Sequence, residues 1–110
     1  MAGDILDKLE GIEARFQEVS LLITDPQVIA DMPRYVKLNK EYHDLEPLLA
    51  AKKKYVGLQN SIKEAKEILL NEQDVEMRDM AKEELDSASG QLEALQEEIR
   101  ILLIPSDPQD

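Results

Sequence analysis

The stretch Ile68-Leu69-Leu70-Asn71-Glu72-Gln73-Asp74-Val75-Glu76-Met77 decides the fold. Its centre, Asn71 through Asp74, holds no apolar residue, and it separates two segments in which apolar residues recur every three or four positions. That spacing lines one face of a helix. Upstream the seam is Leu48, Ala51, Tyr55, Leu58, Ile62, Ala65 and Leu69; downstream it is Met77, Ala81, Leu85, Ala88, Leu92, Leu95, Ile99 and Leu102. A short polar break between two such segments joins antiparallel neighbours. Asp74 can cap the second helix and Pro105 ends it. The stretch therefore predicts a long, coiled-coil-like helical hairpin. At 1.5 Å per residue, a helix of about 28 residues is roughly 42 Å long, so an elongated domain is expected.

Toward the N-terminus a further seam, Leu38, Tyr42, Leu45 and Leu49, is offset by one residue from the Leu48 seam, and Pro47 sits at the offset. Proline inside a helix removes one ladder bond and crowds the carbonyl four residues back, which predicts a bent or interrupted helix from Pro33 to about Leu70. Asp25-Pro26 pairs a capping residue with a proline at the first helical position, so a short helix through Ala30 follows, and Asp31-Met32-Pro33 repeats the device. Before it, Ile5, Leu9, Ile12, Phe16, Val19 and Ile23 form one stripe of an amphipathic helix. This helix starts near Asp4 and ends around Thr24 and Asp25, because Pro26 disfavours helical geometry in the residue before it. The fold class expected is all-α, an elongated three-helix antiparallel bundle ending in the long hairpin. Residues 1–104 form the helical domain and 105–110, Pro-Ser-Asp-Pro-Gln-Asp, read as a linker.

Composition narrows the function. Of the 110 residues, 13 are Lys or Arg and 24 are Asp or Glu, a net charge of -11. Residues 1–55 carry 8 basic and 10 acidic side chains and residues 56–110 carry 5 and 14, so the second half holds -9 of that charge. Nucleic-acid binding depends on neutralising phosphates with cations, so direct contact with nucleic acid is not expected and a basic partner is. No cysteine is present, which excludes disulfides, thiolate metal sites and cysteine nucleophiles. No apolar run approaches the roughly 18 residues of a membrane span, and Asp4 and Asp7 stand where a secretory leader is basic, so a cytoplasmic location is expected.

Candidates for chemistry are few. His43, flanked by Tyr42 and Asp44, is the only histidine; it lies off the seam and reads as a solvated surface residue. The carboxylates Glu76, Asp79, Glu83 and Asp86 follow one exposed helical face, with Lys82 placed to pair with Asp79 or Asp86, and they read as a solvated face rather than a divalent-ion site. Glu83-Glu84 and Glu97-Glu98 show no convergence on a pocket. Lys52-Lys53-Lys54 wraps around a helix without making a flat patch. Met77 and Met80 could form an adaptable partner-binding surface, but core filling is the preferred reading. No catalytic residue, metal ligand or cofactor is assigned.

The chain also resembles the N-terminal domain of the bacterial peptide chain release factor 1 family, class I translation termination factors. The resemblance covers essentially all of the chain. It is carried by Leu6-Asp7-Lys8-Leu9-Glu10, Arg15-Phe16-Gln17-Glu18-Val19, Leu21-Leu22-Ile23-Thr24-Asp25-Pro26 and Tyr35 through Tyr42, and most tellingly by Asp44-Leu45-Glu46-Pro47, Glu76 through Leu85, and the exit Leu102-Leu103-Ile104-Pro105-Ser106-Asp107-Pro108. The resemblance implies a domain that precedes codon-reading and Gly-Gly-Gln hydrolysis segments, reaches toward the base of the ribosomal stalk and affects interplay with the class II release-factor GTPase. Gly3, Gly11, Gly57 and Gly90 are isolated, so no Gly-Gly-Gln occurs, and no Pro-x-Thr tripeptide occurs either. The chain is then expected to be a piece of a longer protein, with 105–110 leading into the rest. Rival readings are a free-standing acidic helical adaptor, a prefoldin-like chaperone subunit and the coiled-coil arm of a seryl-tRNA synthetase. The prefoldin reading needs strands that residues 71–74 are too few and too polar to supply; the tRNA-binding arm needs basic stripes.

Overall fold

In the computed structural model, residues 2–104 are described, and side chains from Asp4 onward. Four helices account for nearly all of them: α1 (Ala2–Leu22), α2 (Pro26–Ala30), α3 (Met32–Asn71) and α4 (Val75–Leu102). No strand occurs among the described residues. The all-α reading therefore holds, while the linker expected at 105–110 lies outside the described residues. Internal contacts gather the helices into two compact units, one formed by the chain up to Lys52 and one by Lys53–Ile104.

In the first unit, α1 begins at Ala2, two residues before the expected start, and Asp4 falls in its first turn, where a negative charge meets the positive end of the helix. The helix ends as Thr24 donates both its N–H (3.1 Å) and its hydroxyl (2.7 Å) to the carbonyl of Leu21. Asp25 then caps α2 by accepting from the N–H of Gln27 at 2.9 Å, with Pro26 at the first helical position as expected. Asp31 serves both neighbours. Its N–H donates to the carbonyl of Val28 (3.0 Å) to close α2, and its carbonyl and carboxylate accept from the N–H groups of Tyr35 (2.9 Å) and Arg34 (3.4 Å) to open α3. These short caps turn the chain back so that α1 and the beginning of α3 run antiparallel. Val19, Val28 and Leu38, one residue from each helix, form the buried cluster, and Leu22, Ile23, Tyr35 and Tyr42 pack against it. Ile5 and Leu9 are buried on the same stripe of α1.

Pro47 does not interrupt α3, which is helical from Met32 to Asn71. The missing N–H of Pro47 leaves the carbonyl of His43 without its ladder bond. Both residues are exposed, so water can take that bond and the helix survives the loss.

In the second unit, the remainder of α3 and all of α4 form the hairpin. The connection is Glu72, Gln73 and Asp74; the carboxylate of Glu72 accepts from the N–H groups of Gln73 and Asp74, both at 3.1 Å, and Asp74 accepts from the N–H of Met77 at 3.2 Å. Along α4 the fully buried positions are Ala81, Ala88, Leu95 and Ile99. The first three recur at intervals of seven and half-buried Leu85 and Leu92 fall between them, so the seam keeps the register of a coiled coil. On α3, Tyr55 and Ala65 are buried and Leu58 and Ile62 half-buried in the same rhythm. The pairing runs antiparallel: Leu69 meets Arg78, and Ala65 shares a groove with Ala81.

Candidate interaction surfaces

Near the hairpin turn the apolar seam is left open. Ala65 and Ala81, both buried, face one another there, and two methyl groups cannot fill the space that a pair of leucines would. An open groove of about 410 Å³ results, floored by these alanines and walled by Ile68, Met77 and Met80, with Ser61, Glu64 and Glu84 at its edges. Met77 is 47% and Met80 69% exposed, so the expectation that they fill the core is corrected. Met80 lies one position off the seam, and Met77, at the end of the seam nearest the turn, lines the groove with Ile68 instead of being closed over. Leu70 and Val75, 83% and 68% exposed, extend the uncovered apolar surface around the turn. The other side of the hairpin is not purely acidic, since there Lys63 and Lys66, with Glu67 beside them, line a second groove with Ile62, Leu70 and Leu92.

The turn itself is held by a residue that sequence reasoning did not single out. Arg78, in the first turns of α4, donates from Nη1 to the carbonyls of Leu69 and, at 3.2 Å, of Glu72. Carbonyls in the last turn of a helix lack intrahelical partners, and a cation is favoured there.

The first unit carries ion pairs beside an open groove of about 1170 Å³, in which Arg34, Lys37 and Lys40 stand with Glu18, Glu41 and Asp44 around Leu22 and Leu38. Arg15 grips Glu41 with two parallel bonds, Nε to Oε2 at 2.6 Å and Nη2 to Oε1 at 2.8 Å, and its remaining Nη1 reaches Glu18. These bonds hold the Glu41 carboxyl below its ordinary range, against the partial burial that would raise it, and push the Arg15 guanidinium further up. Beside them the rings of Phe16 and Tyr42 stack with centroids 4.8 Å apart. Lys52 reaches Glu13 at 2.6 Å, so the lysine cluster is divided, with Lys52 bracing α1 against α3 while Lys53 and Lys54 face solvent. Neither Arg15–Glu41 nor Glu13–Lys52 leaves a local signature, because the partners are 26 and 39 positions apart.

His43 is exposed and hydrogen-bonds Glu46 at 3.0 Å, its ring edge-on to Tyr42, while Asp44 pairs with Lys40 at 3.3 Å. The Tyr42-His43-Asp44 triplet therefore makes no acid–base relay. Among the described residues no group of three or more carboxylates and histidines converges as metal ligands would, and no helix is long and apolar enough to cross a membrane. Lys82 does not appear in an ion pair with Asp79 or Asp86; the ion pair in α4 is Arg100 with Glu97, at 2.7 Å.

Residues 12–110 match the PCRF domain family. The chain belongs to that family. It is 59% identical over 106 residues to peptide chain release factor 1 of Bacteroides thetaiotaomicron, a match covering 96% of this chain and 29% of that protein. Over 108 residues it is 59% identical to peptide chain release factor 1 of Bacteroides fragilis, covering 98% of this chain and 29% of that protein. The protein of the same description from Flavobacterium johnsoniae is 43% identical over 106 residues, 96% of this chain and 30% of its own. The chain thus spans less than a third of the length of the curated relatives it matches. No solved structure matches it. The resemblance to the bacterial release factor 1 family read from the segments between Leu6 and Pro108 is borne out by these matches.

Proposed function

We propose that this chain is the N-terminal, non-catalytic interaction domain of a bacterial class I peptide chain release factor, acting in the cytoplasm in translation termination at stop codons. The observation that carries this reading is the 59% identity, over nearly the whole chain, to proteins described as peptide chain release factor 1. The domain contacts the ribosome near the stalk base and modulates interplay with the class II release-factor GTPase; residues 105–110 lead into the codon-reading and hydrolytic portion. Two features of the chain support a binding rather than a chemical role. Its sequence holds no Gly-Gly-Gln, and its histidine and ion-paired carboxylates are spent on surface and interhelical contacts. The acidic balance disfavours phosphate as the direct target and favours basic protein surfaces.

A peptidyl-tRNA release assay tests the first half of the proposal: the chain alone is expected to give no stop-codon-dependent hydrolysis, and hydrolysis would overturn the non-catalytic role. Co-sedimentation tests the second half. The chain should travel with ribosomes and lose that association when the stalk-base protein is removed; equal association with both preparations would overturn the stalk contact.

A further inference from the structure

We propose that the groove near the hairpin turn receives the apolar face of a cationic amphipathic helix presented by a protein partner. The inference deepens the reading of the chain as an interaction domain and rests on it for the existence of a partner. Three observations carry it. The floor is apolar and unfilled, because Ala65 opposes Ala81. Its walls, Met77, Met80 and Ile68, are exposed side chains, and methionine is the residue that adapts best to the shape of an incoming apolar surface. The rim is negative: Glu64 stands on the α3 side and Glu84 on the α4 side, and no cation lines the groove.

Charge decides between possible occupants. At 100° per residue, Glu64 and Ile68 share one side of α3, while Lys63 and Lys66 fall on the other side, where they flank the separate groove with Leu92. On α4, Lys82 points away from the side shared by Met77, Met80 and Glu84 by the same geometry. A polyanion would meet carboxylates at both edges, and a second copy of this chain would bring more carboxylates than cations. A helix with apolar anchors three and four residues apart, flanked by Lys or Arg, satisfies floor and rim together. Each anchor would enter between a methionine and an alanine while its cations pair with Glu64 and Glu84.

The probe is a synthetic helix of leucine and lysine with leucines along one face, titrated into the full chain and followed by amide and methyl chemical shifts. A leucine–glutamate helix of the same length serves as the counterpart. The expected result is that shifts concentrate at Ala65, Ile68, Met77, Met80 and Ala81 and that the glutamate helix does not bind. Glu84→Lys and Met80→Asp should each weaken binding about tenfold, about 1.4 kcal/mol. Glu83→Lys changes net charge equally but lies off the groove, and its affinity should stay within about twofold of the parent. Shifts spread over the acidic surface, or equal losses from Glu83→Lys and Glu84→Lys, would overturn the site in favour of unspecific charge attraction. Both exposed positions tolerate substitution without unfolding, which the circular dichroism of each variant checks. The functional reading fails separately: a chain that captures the peptide at the groove but does not co-sediment with ribosomes refutes the stalk-base contact and leaves the groove standing.

Discussion

Glu41 shows how a single side chain can tie two helices across a long sequence separation. Its carboxylate takes two bonds from Arg15, and its protonation constant falls below the ordinary value of 4.5 for that reason. A carboxyl whose constant is depressed on folding stabilises the folded state fully above its unfolded value, and that contribution drains away as pH falls through the folded value. Glu41→Gln is therefore expected to lower stability at neutral pH by about 0.5–1 kcal/mol, a modest figure because the pair is partly solvated. The gap between parent and variant should close in acid, which thermal melts across the acidic range would read; a gap constant with pH would refute the assignment. None of this was legible in the sequence, where Arg15 and Glu41 are merely two charges on polar faces. The methionines mislead for a related reason. Periodicity places Met77 on the seam, yet burial also requires neighbours large enough to close over it, and helix pattern alone does not reveal that Ala65 and Ala81 leave a groove there.

At the scale of elements, the legible features were those governed by local chemistry. Asp25-Pro26, Asp31 and Asp74 terminate or open helices through their own carboxylates and carbonyls, and each boundary falls within two residues of its expected place. Every seam residue of α4 from Ala81 to Leu102 is at least half-buried. The interruption allowed for at Pro47 does not occur, because the cost of a missing ladder bond depends on whether water can reach the orphaned carbonyl. Pro47→Ala restores the bond within an unbroken α3 and should raise stability by about 1–3 kcal/mol. Unchanged denaturation midpoints would argue that the proline is accommodated without cost. Gly90 offers a second test on α4. A methyl group there meets no atom within 4 Å, and the residue is exposed, so Gly90→Ala should stabilise by about 0.5–1 kcal/mol in the same assay. Conversely, Ile99 is fully buried, and Ile99→Ala should cost about 2–5 kcal/mol.

For the whole molecule, composition speaks before any coordinates do. A net charge of -11 predicts no measurable retention of single- or double-stranded nucleic acid at physiological salt; a mobility shift that weakens steeply with added salt would contradict it. The class of fold and the kinship to release factors were both legible from the sequence, because aliphatic spacing and ordered short segments are properties of the chain itself. The groove near the turn was not, since it arises from what Ala65 and Ala81 fail to fill together. Glu64 and Glu84 rim it without a cation, whereas Lys63 and Lys66 line the groove on the other side together with Glu67, so charge is spread unevenly across the hairpin and gives it a dipole moment transverse to its axis. In the field of a basic surface such a body feels a torque while still in free diffusion, and it arrives already rotated with its carboxylate side forward.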